Sequence, residues 1–381
     1  MKFLGENRKF FYATAALIGT MVGVGVFGIP FSFAKAGFGV GFLFLVLVGF
    51  LTLIVDMMFG EVVLRTGEKH QTVGYAGLYL GPVWKKIMFF AVVLGIYAAM
   101  LAYVIIAGEF LSNVFSAFFY LSGAAYSYIF IFILSFLLLL GLKRISRIEL
   151  FLTVFFLAVV FIIFGFGIFK INPDNFNLIN SEFWFLPYGV LLFAFAGMSA
   201  IPLQKEILRG QEHKLKKSIL WAVLLVGVLY LVFSFTVVGV SGDVTSPDAV
   251  TGLFDFLGSK IVILGSIFGV LAVSTSFLML GEALKEVFVW DYKLKRGWAW
   301  LLVVFPPFLL FVAGLRTFID VISLAGSLSI GLILLILIFT YTAAKSKGDR
   351  IPEYSLNIPL WFLYSMVVLF TAGIVYVLFV G

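Results

Sequence analysis

Cysteine is absent from the chain, so it has neither disulfide bridges nor thiolate metal sites, and its redox compartment cannot be read. Histidine occurs only twice, as His70 and His213, both in polar connections where a solvated side chain is expected rather than a ligand. Charge is scarce: 12% of residues are Asp, Glu, Lys or Arg, against roughly 25% in soluble domains. A chain of 381 residues so poor in charge cannot clothe a water-soluble globule. No cluster of histidines or acids converges at one interface, as an integral-membrane enzyme would need. No repeated filter or ring of charge suggests a channel, and no soluble domain suggests a receptor. The alternating pattern of an outer-membrane barrel is missing. No small-x-small cleavage site closes the first apolar run, so it is read as a retained span and not a signal peptide.

What fills the chain is apolar. Hydrophobic residues make up 63% and phenylalanine alone occurs 47 times. Runs near the ~20 residues needed to cross ~30 Å of hydrocarbon recur throughout. They give eleven candidate spans: 10–34, 38–65, 84–115, 124–142, 148–169, 183–206, 218–240, 259–288, 297–314, 319–343 and 358–380. Helix is the form expected, because an open strand leaves its backbone unsatisfied in lipid. All but four of the 26 Lys and Arg (Lys35, Lys170, Lys260 and Arg316) fall in alternate connections. The positive-inside rule puts the rich set, with the N-terminus, in the cytoplasm and Gly381 outside a cell membrane. The net charge of +7 is this bias facing anionic lipid; nothing points to nucleic acid or to an obligate protein partner.

Glycine interrupts this pattern in one place. The stretch GTMVGVGVFGIP, residues 19–30, lies inside the first span. Its segment Gly25-Val26-Phe27-Gly28-Ile29-Pro30 is echoed in span 6 by Gly197-Met198-Ser199-Ala200-Ile201-Pro202. Gly weakens a helix interior by ~1 kcal/mol and Pro removes a backbone donor, so both spans are expected to open near mid-membrane, around Val22–Val26 and Ala196–Ser199. Five spans separate the pair, an odd offset that reverses their direction across the membrane. That is the pattern of an inverted-topology repeat, with 10–169 as one unit, 183–343 as the other and 358–380 added. Backbone groups freed in hydrocarbon need a polar occupant, and an ion or a zwitterion would serve. The bland alternative is small-xxx-small helix packing through Gly19 and Gly23.

Four stretches resemble one known family: GTMVGVGVFGIPFSFAKAGF in span 1, YAAMLAYVIIAGEFL in span 3, FAFAGMSAIPLQKEI in span 6 and VLAVSTSFLMLGEALKEV in span 8. They are similar to the amino acid permeases of the amino acid/polyamine/organocation superfamily, nearest its amino acid/auxin and aromatic amino acid permease branches. The resemblance implies an all-α integral membrane protein of eleven transmembrane helices, with the five-plus-five inverted repeat of a bacterial leucine transporter and helices 1 and 6 broken. It implies alternating-access import of a small-molecule amino acid, with no cofactor beyond a coupling sodium ion or proton. Its substrate would lie between the breaks, against Val22, Gly23, Val24, Gly25 and Val26 on one side and Ala194, Phe195, Ala196, Gly197 and Ser199 on the other. Tyr103 would face this pocket, and Phe193 or Phe195 would close it. The A-x-x-T-S run of span 8 matches a sodium site formed by Ala272 O, Thr275 and Ser276 with the carbonyls of Gly19 and Val22. Back-bonding of those hydroxyls to their own helix is the alternative.

Small residues at Ala194, Ala196 and Gly197 leave room for a large side chain, and no charge lies near them in sequence. A neutral, large apolar or aromatic amino acid is therefore expected. Asp56, Glu61, Glu109, Glu282 and Glu286 lie in or near spans. Glu61, Glu282 and Glu286, close to Lys or Arg at span ends, suit salt bridges; Asp56 and Glu109 lie deeper and could carry a proton. Span 5 lacks the lysine that replaces sodium in one proton-coupled kind of relative, which favours sodium without excluding the proton.

Overall fold

The computed structural model describes residues 2–140, 158–290 and 293–379, and among them all regular structure is helical. In chain order the elements are α1 (Lys2–Met21), α2 (Gly25–Ala36), α3 (Phe38–Arg65), α4 (Thr72–Leu80), α5 (Pro82–Phe115), α6 (Gly123–Leu140) and α7 (Ala158–Lys170). There follow α8 (Leu186–Ala194), α9 (Ile201–Ile207), α10 (Leu215–Ser241), the short α11 (Phe254–Leu257), α12 (Ser259–Trp290), α13 (Arg296–Val312), α14 (Phe318–Leu324), α15 (Gly331–Lys347) and α16 (Leu360–Phe379). Eight helical stretches among these residues are long and apolar enough to cross a membrane, and α1 with α2 forms a ninth, bent by 56° at its break. Two shorter apolar helices, α7 and α13, accompany them. The start of the span expected at 148–169 and the end of that at 124–142 lie outside the described residues.

Side-chain placement separates lipid-facing from protein-facing surfaces. On α3, Leu43, Val46, Leu47 and Phe50 are exposed at helical spacing, whereas Leu45, Val48, Leu51, Thr52 and Val55 are buried on the other face. An apolar stripe of this kind facing outward is stable only against hydrocarbon. The span of α8 and α9 is 72% buried and α16 only 22%, which puts the former at the centre and the latter at the rim.

The central pair determines where a site can form. α1 packs on α9 and α2 packs on α8, so the two interrupted spans lie side by side and antiparallel. α10 covers α1 and α2, and α3 packs on both halves of the other span. Between α14 and α15 the helix widens into a π-helical segment, Ala325–Ile330. There a Cβ on Gly326 would fall 1.8 Å from Gly189 O of α8, so the backbones meet with no side chain between them. Ser329 of this segment donates to Ala91 O of α5 (2.7 Å).

Each end of the bundle is tied differently. At one end basic side chains from the last turns of α9 and α15 sit on helix C-terminal carbonyls, where the peptide dipoles favour cations. Lys205 donates to Val63 O and Thr66 O at the end of α3 (2.7 and 2.8 Å), and Lys347 donates to Tyr79 O of α4 (2.9 Å). At the other end the connection after α7 lies across the α2–α3 corner. The amides of Phe38 and Val40 donate to Asn177 O and Leu178 O, and that of Asn180 donates to Ala36 O. Gly37 turns this corner at φ 92° with Leu178 and Ile179 directly against it, which leaves no space for a side chain.

Candidate functional site

The first interruption spans Val22–Val24 and helix resumes at Gly25. It is shorter than the sequence expectation because Val26 N and Phe27 N close the first turn of α2 on Gly23 O (3.4 Å) and Val24 O (3.2 Å). The second opens at Phe195–Gly197 and passes through a 3₁₀ turn, Met198–Ala200, before α9. Two helix C-termini, at Met21 and Ala194, therefore end inside the protein, and two new starts lie just beyond them. The first turn of α2 has no side-chain cap, and neither has the 3₁₀ turn. Carbonyl ends attract positive charge and uncapped N–H ends attract negative charge, so the pair of breaks is complementary to a zwitterion.

The breaks touch. A Cβ on Gly25 would come within 2.8 Å of Ala194 Cα and 3.1 Å of Phe193 Cδ1, so glycine alone allows the approach. Gly23 lies next to the Tyr103 hydroxyl of α5, 4.0 Å from the position its Cβ would take. Val22, Gly23, Phe193 and Ala196 are half-buried; Val24, Gly25, Val26, Tyr103 and Ala194 are buried. Of these, Gly25 meets Ala194 and Phe193, and Gly23 meets Tyr103. Phe195 points elsewhere: its ring meets Gly49 of α3 and Gly227 of α10 and lies edge-on to Tyr230 (5.2 Å, 64°). The room expected beside Gly197 is filled by Leu17 and Met21, and Ser199 is exposed.

The oxygens expected to hold sodium have a different setting. α12 packs chiefly on α5 and α13. Thr275 donates within its own helix to Ala272 O (3.0 Å), the carbonyl that the resemblance assigns to the ion, and also approaches Leu271 O (3.3 Å). Ser276, Gly19 and Val22 are half-buried. Among the described residues no group of three His, Asp or Glu comes together as a metal site. Of the acids, Glu61 is buried, pairs with Arg65 (2.7 Å) and accepts from Ser355 Oγ and Leu356 N. Glu282 pairs with Lys285 (2.5 Å), which also donates to Leu138 O. Glu286 and Glu109 are exposed, whereas Asp56 is buried with no partner for Oδ2.

Two polar groups at the breaks have no counterpart in the sequence reading. Tyr230 of α10, fully buried, has its hydroxyl 2.8 Å from Met21 O and 2.8 Å from Ala194 O, the terminal carbonyls of both half-helices. Nothing in LLVGVLYLVFSF separates that residue from the other 14 tyrosines of the chain. Gln204 of α9, also buried, donates to Ala13 O (3.0 Å) and to Ser218 Oγ (2.9 Å), and Ser218 meets Thr14 (3.1 Å). An amide two residues past Pro202, at the end of an apolar run and before Lys205 and Glu206, is the one sign of it in the sequence.

Comparison with known proteins places the chain in a family. Residues 6–379 match the tryptophan/tyrosine permease family. A curated relative, tyrosine-specific transport system 1 of Haemophilus influenzae, is 24% identical over 290 residues, which cover 72% of this chain and 71% of the relative. The match runs from the first helix to the last and takes in both interrupted spans. It makes the protein a multi-pass membrane transporter and not an enzyme. The chain belongs to the tryptophan/tyrosine permease family.

Proposed function

We propose that the protein imports a neutral amino acid with a large apolar or aromatic side chain across the cell membrane by alternating access. The observation that carries this reading is the convergence of two helix C-termini, at Met21 and Ala194, beside the uncapped start of α2. A free amino acid carries the matching pair of charges on adjacent groups. Its ammonium group suits the carbonyl ends and its carboxylate suits the N–H groups near Val24 and Gly25. Tyr103 and Phe193, next to Gly23 and Gly25, provide aromatic surface for the side chain. The tyrosine system of Haemophilus influenzae makes tyrosine the first substrate to try. Eleven spans arranged as an inverted repeat, with the N-terminus cytoplasmic, remain the architecture proposed. Competition of unlabelled amino acids against labelled tyrosine uptake tests the substrate class. Tyrosine, tryptophan, phenylalanine and leucine are expected to compete and lysine and glutamate are not; competition by charged amino acids alone would refute the assignment.

The coupling ion proposed is sodium, held by Gly19, Val22, Ala272, Thr275 and Ser276. A threonine hydroxyl bonded to its own helix turns about χ1 without moving the backbone, so an arriving ion can recruit it. Buried Asp56, with one oxygen unpartnered, favours the proton as the alternative. Exchange of sodium for potassium or choline in the uptake buffer separates the two.

A further inference from the structure

Tyr230 stands at the junction of three elements without belonging to either broken span. Its hydroxyl carries one hydrogen and has two carbonyl oxygens at 2.8 Å. It can donate to only one of them at a time, so the other is left without that donor in a buried setting. Met21 O has a second donor in Gly23 N (2.8 Å). With the hydroxyl on Ala194 O each carbonyl has one donor, but each keeps a second lone pair at a helix C-terminus, and the two together suit a group that carries positive charge and more than one N–H. The tyrosine meets neither condition. α10 holds the ring there because it is a continuous helix packed on α1 and α2, and Phe195 packs against the ring edge.

We propose that the Tyr230 hydroxyl is a resident stand-in for the substrate's ammonium group, occupying the two carbonyls while the site is empty and giving them up when an amino acid enters. This rests on the reading of the chain as an amino acid transporter. An incoming ammonium group brings three N–H donors and serves both carbonyls at once, and the hydroxyl is released. The empty site is thereby kept from collapsing or opening at the midpoint, and binding is weakened by the bond that must first be broken. Tyr230 is thus a positioning residue that sets affinity and release, and a lowered affinity speeds release.

The test compares wild type with Tyr230→Phe, which removes the competitor and keeps the ring. The probes are L-tyrosine and its deaminated analogue 3-(4-hydroxyphenyl)propionate, titrated calorimetrically into the purified protein. L-tyrosine is expected to bind the variant about five- to tenfold more tightly, the worth of one buried hydrogen bond, with a lower KM and a lower maximal uptake rate. The analogue has no ammonium group, and its affinity should change by less than about twofold. The empty variant should melt at a lower temperature than wild type, with L-tyrosine restoring the difference. Tyr230→Met, a flexible side chain without a donor, provides the same comparison if the phenylalanine variant is poorly folded. Weaker or unchanged L-tyrosine binding in the variants, or an equal gain for the analogue, would overturn the proposal. So would variants that do not fold even with L-tyrosine present, since the hydroxyl would then be a fixture of the fold. If wild type binds none of L-tyrosine, L-tryptophan and L-phenylalanine, the transport reading itself fails and this proposal with it.

Discussion

Gly25 and Gly227 differ at the scale of a single Cβ. Space for a methyl group at Gly25 is already taken by Ala194 Cα at 2.8 Å, a backbone atom that cannot give way without parting the two broken spans. At Gly227 the nearest atom, Phe195 Cζ, is 3.9 Å away, an ordinary contact. Gly25→Val should therefore reduce tyrosine uptake by more than about tenfold and lower stability by about 1–3 kcal/mol through overpacking. Gly227→Ala should leave uptake within about twofold, helped by the better helix propensity of alanine. Uptake and thermal unfolding measured side by side check both; equal tolerance at the two positions would mean that the breaks do not touch as described. At Thr275 the expected effect is on the ion. If sodium is the coupling ion as proposed, removing the hydroxyl in Thr275→Ala should raise the sodium concentration for half-maximal uptake several-fold, with a smaller effect at saturating sodium, because ion and amino acid would be linked through one conformation. An unchanged sodium response would leave this hydroxyl as a helix back-bond and nothing more.

On the function proposed, the ties between elements that meet near the breaks would resist opening. Gln204 ties α9 to α1 and α10 through Ala13 O and Ser218, beneath the interruption and, in the orientation proposed, on its cytoplasmic side. Gln204→Leu removes these bonds without removing bulk and should cost about 1–3 kcal/mol of closure, a large share of any two-state balance. Because the chain has no native cysteine, a single Ala13→Cys reports this cleanly. Thiol labelling should become several-fold faster in the Gln204→Leu background, and unchanged labelling would show that the tie does not gate this side. The position of the breaks was legible in the sequence, because Gly and Pro clustered in an apolar run leave few other conformations. Their extent was not: Gly25 and Val26 join α2 because its first turn closes on Gly23 and Val24, a local hydrogen-bonding choice that composition does not set. The salt bridge of Glu61 was legible as an acid one turn from Arg65. Tyr230 was not, since its meaning comes from two carbonyls 209 and 36 residues away in the chain. The filling of the space beside Gly197 by Met21 likewise depends on how α1 meets the second break.

For the whole molecule, the interrupted spans pair antiparallel at the centre of a helical bundle, and the function proposed requires the place where they meet to open to each side in turn. Phe42, Leu43, Val46 and Phe50 on α3 and Trp361, Tyr364 and Val368 on α16 form the lipid-facing exterior, against which such a core can rearrange. On the function proposed, binding at the breaks would stabilise one arrangement of this core, and an ion would add driving force only through the same arrangement. The most direct measurement is accumulation of labelled L-tyrosine by purified protein in liposomes, with an imposed inward sodium gradient and no pH gradient. Tyrosine is predicted to accumulate above the external concentration, and to stop doing so when sodium is equal on both sides or replaced by choline. A failure to accumulate tyrosine, tryptophan, phenylalanine or leucine under either a sodium or a proton gradient would contradict it.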